Sequence, residues 1–223
     1  SGQLEVSLIS SITPALNRLE KKPVLPEAAK TEVVLPPRSL TSQTVEIPWP
    51  DAPRWEPEKP RLFNLASVLK LGQKKISVNT ERFGFRIFEV RKNKLFLNGR
   101  RIKLRGDAWH FIGVPMLDKR FPEGWYQLCR DSGVNAVRLH AQIYPRHFID
   151  AAEESGMLII DESAHWASGL LSWYNEEFIA RMKEHLSALV RRDRNSPSVI
   201  AWSVANEVMA GHRSWPDNNA GSE

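Results

Sequence analysis

The sequence predicts an α/β fold, the first half of an eight-stranded TIM (β/α)8 barrel, preceded by a smaller region of short antiparallel strands. From about Phe88 onward, apolar strand-like runs alternate with helix-like segments that begin near proline and end near glycine. Each of these strands ends in polar side chains, and all strands of a barrel point their carboxyl ends at one face, where active sites lie. A doubly wound sheet is the alternative, but the turn GDAWHFIGVP lacks the glycine-rich pattern typical of that fold.

Residues 1–88 form the first predicted domain. They contain short β-type runs, LEVSLIS, TEVVL, TVEIPW and KKISV, separated by turn signals. This pattern predicts the antiparallel strands of a sandwich, with prolines at edges and in loops. The stretch PWPDAPRWEPEKPRLFNL has the prolines of a linker, but its large apolar side chains predict a packed, irregular segment. These side chains are Trp49, Trp55, Leu62, Phe63 and Leu65.

Residues 89–223 form the second predicted domain, the barrel. The run KLFLNGRRIKLRG predicts a hairpin with a type I′ turn at Asn98-Gly99, because both residues tolerate a positive φ. Strands and helices then alternate in the order IKLRGDAWH, PEGWYQLCRDSG, NAVRLHA, PRHFIDAAEESG, MLIIDES, NEEFIARMKEHLSALVRRDRN and SVIAWSVANE. The third helix has an apolar stripe at helical spacing: Phe178, Ile179, Met182, Leu186, Leu189 and Val190.

Composition excludes several classes of function. The net charge is +5, but no stripe of Lys and Arg interleaved with aromatic residues is present, so we expect no nucleic-acid partner. A single cysteine, Cys129, excludes an internal disulfide framework and a clustered-thiol zinc site, and we expect it to be a small core residue of a helix. No apolar run reaches the ~18 residues of a membrane span, so we expect no membrane partner.

The polar strand ends supply the candidate site. They are Asp107 and His110, Arg138 and His140, Asp161 and Glu162, and Asn206 and Glu207. The last pair follows the apolar run 199–204, which has the composition of a strand buried on both faces. An amide and a carboxylate directly after such a strand indicate a catalytic role, although a helix cap at Asn206 is the alternative.

The segments FGFR, FLNGRRIKLRG, NAVRLH, GMLIIDES and RRDRNSPSVIAWSVANE, in this order and spacing, resemble glycoside hydrolase family 2. That family includes β-galactosidases, β-glucuronidases and β-mannosidases. The resemblance covers about residues 30–208, and it implies that the first domain is part of an immunoglobulin-like domain preceding the catalytic barrel. It also implies a carbohydrate substrate and no cofactor or metal.

Specific roles follow from the resemblance. Glu207 would be the general acid/base of a retaining glycosidase, and Asn206 would hydrogen-bond the sugar hydroxyl next to the anomeric carbon. Arg138 would brace the carboxylates of the site. His110, His140 and Glu162 would be further substrate-binding residues at the strand ends. Trp109, Trp166, Trp173 and Trp215 are candidate stacking platforms for a sugar, with core packing as the alternative for each.

Alternatives stay open for several of these residues. Arg138 could form a structural ion pair with Asp161 or Glu162. His110 and His140 could be hydrogen-bonded polar residues of the barrel rim without a role in binding. A metal-dependent barrel hydrolase using His110, His140 and Asp161 is a second hypothesis. A third is a non-catalytic carbohydrate-binding or assembly protein of the same fold.

The sequence also predicts that the chain is a fragment. Only 16 residues follow Glu207, whereas the family's nucleophile lies on the seventh barrel strand. We therefore expect the chain to be an internal piece of a longer enzyme, inactive alone. The sugar and the compartment stay open, as does a homo-oligomer of the longer protein.

Overall fold

The computed structural model describes residues 4–16, 23–111, 113–166 and 176–207. The chain divides into two compact units. The first comprises residues 1–56 and 61–86, and the second comprises residues 57–60 and 87–223. The segment Pro57–Pro60 therefore belongs to the second unit, although the sequence on both sides of it belongs to the first.

The first unit contains one four-stranded antiparallel sheet among its described residues. Its strands are β1 (Leu4–Pro14), β2 (Ala29–Leu35), β3 (Phe63–Leu71) and β4 (Lys74–Phe83), in the order β2-β1-β3-β4. The predicted runs LEVSLIS, TEVVL and KKISV lie in β1, β2 and β4, whereas TVEIPW forms no strand. β3 was not predicted as a strand, since only its first residues were included, at the end of the irregular segment. β3 becomes a central strand because it pairs with β1 on one side and with β4 on the other.

The proline-rich stretch after β2 is packed, as predicted. Trp55, Leu62 and Phe63 are fully buried, and the Trp49 ring meets Phe63 edge-on with 4.8 Å between ring centroids. Trp49 also meets Phe85 edge-on at 5.8 Å. Edge-to-face aromatic pairs of this kind add to the free energy gained by burial, so the stretch behaves as core and not as a linker.

The second unit opens with a three-stranded meander of β5 (Phe88–Arg91), β6 (Lys94–Leu97) and β7 (Arg100–Ile102). The turn between β6 and β7 has φ angles of 51° at Asn98 and 82° at Gly99, so the predicted type I′ turn is confirmed. The Asn98 side chain also accepts a hydrogen bond from the Ile87 N–H at 2.9 Å.

The remainder of the unit is a βα repeat around a parallel sheet. Its strands are β8 (Gly106–Trp109), β9 (Ala136–Leu139), β10 (Leu158–Glu162) and β11 (Val199–Ser203), in the order β11-β10-β9-β8. Its helices are α1 (Arg120–Asp131), α2 (Arg146–Ser155) and α3 (Glu176–Asp193), with a 3₁₀ helix at Val114–Leu117. Sequential order with parallel pairing is the arrangement of consecutive barrel strands, and it excludes the strand reversal of a doubly wound sheet among these four.

Two predicted element boundaries were wrong. The run IKLRGDAWH is not one strand, because Ile102 pairs with Leu95 in the meander and the parallel strand begins only at Gly106. Helix α1 begins at Arg120, two residues before the predicted start at Pro122. Pro122 still lies in the first turn, where its missing N–H costs no helical hydrogen bond.

The core of the second unit lies between the parallel sheet and helices α1 and α2. The cluster of buried side chains contains Trp109, Met116, Tyr126, Val137, Leu139, Tyr144, Phe148, Ile149, Ala151, Ala152, Met157, Ile159 and Val199. Cys129 packs against this cluster and is half-buried. None of the helices in the described ranges is long and apolar enough to cross a membrane.

The last strand is less buried than its sequence predicts. Val199 and Ile200 are buried, but Trp202 and Val204 are 37% and 56% exposed. β11 is an edge strand among the described residues, since only β10 pairs with it. The apolar stripe of α3 is likewise mostly half-buried, with Leu189 fully covered and Val190 exposed.

A buried charge network joins β10 to helices α2 and α3. The Arg146 guanidinium lies 2.8 Å from Asp193, 2.9 Å from Asp150 and 3.6 Å from Glu153. Asp161 is fully buried beside Asp193, and neither of its oxygens accepts a hydrogen bond within the described residues. Burial, followed by the neighbouring Asp193 carboxylate, raises the pKa of Asp161 to about 8.

This carboxyl group links stability to pH. The pKa of Asp161 is raised from 3.8 to about 8, so the folded state holds a proton that the unfolded state releases. Its ionisation therefore lowers stability as pH rises from about 4 to about 8, with no further loss above that range. The variant Asp161→Asn has nearly the same size and shape but cannot ionise.

We compare the unfolding temperature of Asp161→Asn with that of wild type, both in the natural protein. We expect the variant's unfolding temperature to rise steadily relative to wild type between about pH 5 and about pH 8. Thermal unfolding at each pH checks this, since all other titrating groups are common to both proteins. A constant difference across that range would contradict the assignment.

Candidate active site

The carboxyl ends of the parallel strands bring most of the predicted site residues together. β9 carries Arg138 and is followed by His140, while β10 ends at Glu162 and β11 leads to Asn206. The register pairs Ile160 with Arg138 and Glu162 with Ser203. Strands in this register end at one edge of the sheet, which is where the predicted polar side chains meet.

Arg138 connects three of the strand ends. Its Nη2 donates to Asn206 Oδ1 at 3.0 Å, and its Nε lies 3.4 Å from Glu162 Oε2. Of the two carboxylates left open as partners by the sequence, Arg138 therefore pairs with Glu162. Asp161 points to the opposite face of β10, toward Asp193, because successive side chains of a strand alternate.

The Arg138 contact fixes the orientation of the Asn206 amide. A guanidinium can only donate, so Asn206 must present Oδ1 to Arg138 and turn Nδ2 away. Asn206 is buried, and Nδ2 has no hydrogen-bond partner within the described residues. A buried amide donor without a partner favours a bound ligand, because leaving it unsatisfied costs about 1–3 kcal/mol.

Glu207 lies beside this amide in a strained conformation. Its φ is 54°, in the left-handed region that L residues other than Asn and Asp rarely adopt. Its Oε2 accepts a hydrogen bond from Trp166 Nε1 at 3.1 Å, and Asn206 N–H donates to His165 O at 2.9 Å. Strain of this kind is typical of functional sites, where surrounding contacts hold the chain in place.

The setting of Glu207 differs from the expected one. The apolar run before Glu207, in which Trp202 stands among Val and Ala residues, predicts dry, apolar surroundings for the carboxyl group. In the structure Glu207 and Trp202 are both exposed, because no described element covers that side of β11. The described residues therefore supply the hydrogen bond from Trp166, but not the apolar surroundings.

The two histidines form one side of the site. The rings of His110 and His140 stack with 4.0 Å between centroids, and His140 meets the Trp166 ring edge-on at 6.2 Å. Tyr144 anchors the end of β8 near them, since its hydroxyl donates to Trp109 O at 2.7 Å. The ring nitrogens of the two histidines and the aromatic face of Trp166 therefore lie at the same strand ends as Glu207.

The remaining predicted residues have different settings in the structure. Trp109 is a core residue, whereas Trp166 is 54% exposed and available for stacking. Trp173 and Trp215 lie outside the described residues. Asp107 is exposed on β8 and its carboxylate accepts a hydrogen bond from the next backbone N–H.

The metal hypothesis finds no support in the geometry. Within the described ranges, no group of three or more His, Cys, Asp or Glu side chains could hold a metal ion. Asp161 cannot join His110 and His140, because it faces the helices on the opposite side of β10.

Two contacts of the site were missed by the sequence analysis. Ser203 Oγ donates to Glu162 Oε2, and Ala141 N–H donates to Glu162 Oε1 at 2.7 Å. Ser203 is a polar residue inside an apolar run, which is a signal that could have been used. Ala141 has no such signal, because its left-handed φ of 47° is not encoded by its residue type.

Comparison with known proteins agrees with this geometry. Residues 88–215 match the family model described as glycosyl hydrolases family 2, TIM barrel domain. The chain belongs to glycosyl hydrolase family 2. The resemblance identified from the sequence is thereby confirmed, as is the α/β class of the fold.

Curated proteins named β-glucuronidase and β-galactosidase are similar to the chain over about 70% of its length. A putative β-glucuronidase of Formosa agariphila is 32% identical over 160 residues, which are 69% of this chain and 16% of that protein. A β-galactosidase of Thermoanaerobacter pseudethanolicus is 32% identical over 173 residues, or 74% of this chain and 22% of that protein. The chain thus spans about a fifth of the length of these curated relatives.

Solved family 2 structures have the same fold. A β-glucuronidase of Bacteroides uniformis superposes with a TM-score of 0.82 at 20% identity, covering 98% of this chain and 26% of that one. A family 2 member from Bacteroides cellulosilyticus superposes with a TM-score of 0.73 at 26% identity, covering 92% of this chain and 27% of that one.

Proposed function

We propose that the natural protein carrying this chain is a retaining glycoside hydrolase that cleaves O-glycosidic bonds of β-linked sugars. One observation carries the proposal: Arg138 draws Asn206 to the strand ends, so that Glu207 projects beside a buried, unsatisfied amide donor. The names of the relatives, β-glucuronidase and β-galactosidase, make β-glucuronides and β-galactosides the first substrates to test.

Each residue has a defined role in this mechanism. Glu207 protonates the leaving oxygen in the first step and then, as a carboxylate, takes a proton from the attacking water in the second. Asn206 Nδ2 donates to the hydroxyl next to the anomeric carbon and thereby holds the sugar in position beside Glu207. His110 and His140 contact the sugar, and Trp166 aligns the Glu207 carboxyl group through its indole N–H.

A second carboxylate must act as the nucleophile. Retaining enzymes place it about 5–5.5 Å from the acid/base carboxylate. We propose that this group lies on a barrel strand beyond this chain, that the chain alone is inactive, and that no cofactor takes part. We further propose that residues 1–88 are part of an immunoglobulin-like domain and that residues 89–223 are the first half of the catalytic barrel.

Product stereochemistry tests the proposal. The natural protein is incubated with 4-nitrophenyl β-glucuronide, β-galactoside and β-mannoside and with their α-anomers, and proton NMR identifies the first sugar anomer released. We expect turnover of at least one β-anomer with the β-sugar as the initial product. Inversion would exclude the retaining mechanism, and activity confined to α-anomers would exclude β-linked substrates. Saturable sugar binding without turnover would favour a non-catalytic binding protein.

A further inference from the structure

We propose that Glu162 is a positioning residue, not a sugar contact, and that with Ser203 it sets the Asn206 amide through Arg138. This inference rests on the proposed function, because it assigns a role within the same site. It follows from the burial of Glu162 and from the partners of its two oxygens.

Glu162 is enclosed by its neighbours. Its side chain is 0% exposed, whereas Arg138 is 35% exposed. A sugar hydroxyl cannot reach a carboxylate with no accessible surface unless the site opens. A buried carboxylate is stable only when its oxygens are paired or hydrogen-bonded, and both oxygens of Glu162 are.

The partners of Glu162 come from the two strands that flank β10. Ala141 N–H, just after β9, donates to Oε1 at 2.7 Å. Ser203 Oγ, on β11, donates to Oε2, which also faces Arg138 Nε at 3.4 Å. The carboxylate therefore joins β9, β10 and β11 at the level of the site.

Arg138 extends the contacts of Glu162 to Asn206. The same guanidinium that faces Glu162 donates from Nη2 to Asn206 Oδ1 at 3.0 Å. Glu162 thus holds Arg138 in the orientation that turns Asn206 Nδ2 toward the ligand. Without the carboxylate, Arg138 loses its anionic partner and is free to rotate away from Asn206.

The variant Glu162→Gln in the natural protein tests this inference, with kinetics on a β-glycoside substrate and on its 2-deoxy analogue. The analogue lacks the hydroxyl assigned to Asn206, so only a defect in that contact discriminates between the two substrates. We expect kcat/KM to fall about 10- to 100-fold on the parent substrate. On the 2-deoxy analogue we expect a fall of less than about 3-fold.

Matched variants control for structural damage. Glu153→Gln also alters a fully buried carboxylate that faces an arginine, but on α2 and away from the site. Ser155→Ala removes a half-buried hydroxyl that donates to Ala152 O at the end of α2, whereas Ser203→Ala removes the one that donates to Glu162. We expect Ser203→Ala to discriminate between the substrates as Glu162→Gln does, Ser203→Thr to restore the parent activity, and neither control to discriminate.

The outcomes separate this inference from the proposed function. Asn206→Ala is the reference, with an expected loss of about 1,000-fold on the parent substrate and little loss on the analogue. Equal loss of both substrates in Asn206→Ala overturns the sugar contact and, with it, the role of Glu162. Discrimination by Asn206→Ala, together with equal losses in Glu162→Gln and Ser203→Ala, overturns the positioning role alone.

Discussion

Replacing Glu207 with Gln is expected to lower kcat/KM by about 10²- to 10⁴-fold on glycosides with poor leaving groups, such as alkyl glycosides. On activated aryl glycosides the loss in kcat/KM should be less than about 10-fold. The reason is that a nitrophenolate departs without a proton, whereas an alkoxide does not. Steady-state kinetics of the natural protein on a series of leaving groups of graded acidity measures the difference.

The second chemical step supplies an independent check on Glu207. Hydrolysis of the glycosyl-enzyme needs Glu207 as a base, so kcat on activated substrates should fall in the variant. Azide, which attacks without a base, should restore kcat and yield a β-glycosyl azide. Glu184→Gln, an exposed position on α3, is the control and should behave as wild type. Equal losses across all leaving groups, or the absence of azide rescue, would contradict the acid/base role.

Gly156→Ala is expected to cause the largest loss of stability, about 3 kcal/mol or more. Gly156 ends α2 at φ 77°, and a Cβ there would lie 1.9 Å from Pro57 O and 2.6 Å from Arg130 Nη1. The Pro57 carbonyl also accepts a hydrogen bond from Arg130 at 3.1 Å. The substitution therefore adds backbone strain. It also pushes the Pro57 carbonyl away from Arg130, which breaks their hydrogen bond.

Gly133 provides a matched control for this substitution. It has a similar φ of 80°, but a Cβ there would have nothing within 4 Å. Gly133→Ala should cost only the strain of a left-handed alanine, about 1–2 kcal/mol. Denaturant unfolding of both variants in the natural protein gives the two losses. Equal losses would show that the Pro57 carbonyl moves aside at no cost.

Local signals were sufficient to predict much of the fold. The Asn98-Gly99 turn, the proline-to-glycine limits of α2 and the alternation of apolar strands with amphipathic helices are all encoded within short windows. They were enough to predict the parallel sheet and its order. β3 was missed because its strand character comes from pairing with β1 and β4, which lie far away in sequence.

The site was predictable only as far as residue chemistry allowed. Asn206, Glu207 and Arg138 were found because charged and amide groups at strand ends are conspicuous in a sequence. The buried state of Glu162 was not predictable, because it depends on Ser203 and Ala141 reaching it from other strands. Trp202 was predicted to be buried because its strand is apolar, but exposure depends on which strand lies alongside.

The path of residues 57–60 limits where the gene can be cut to make a chimeric protein. These four residues pack with the second unit although they are encoded within the first. A gene fusion made at residue 86 would leave Arg130 without the Pro57 carbonyl and Gly156 without the backbone that covers it. The second unit therefore cannot be transferred to another protein by a single cut at residue 86. A stable transfer must include residues 57–60 together with the residues from 87 onward.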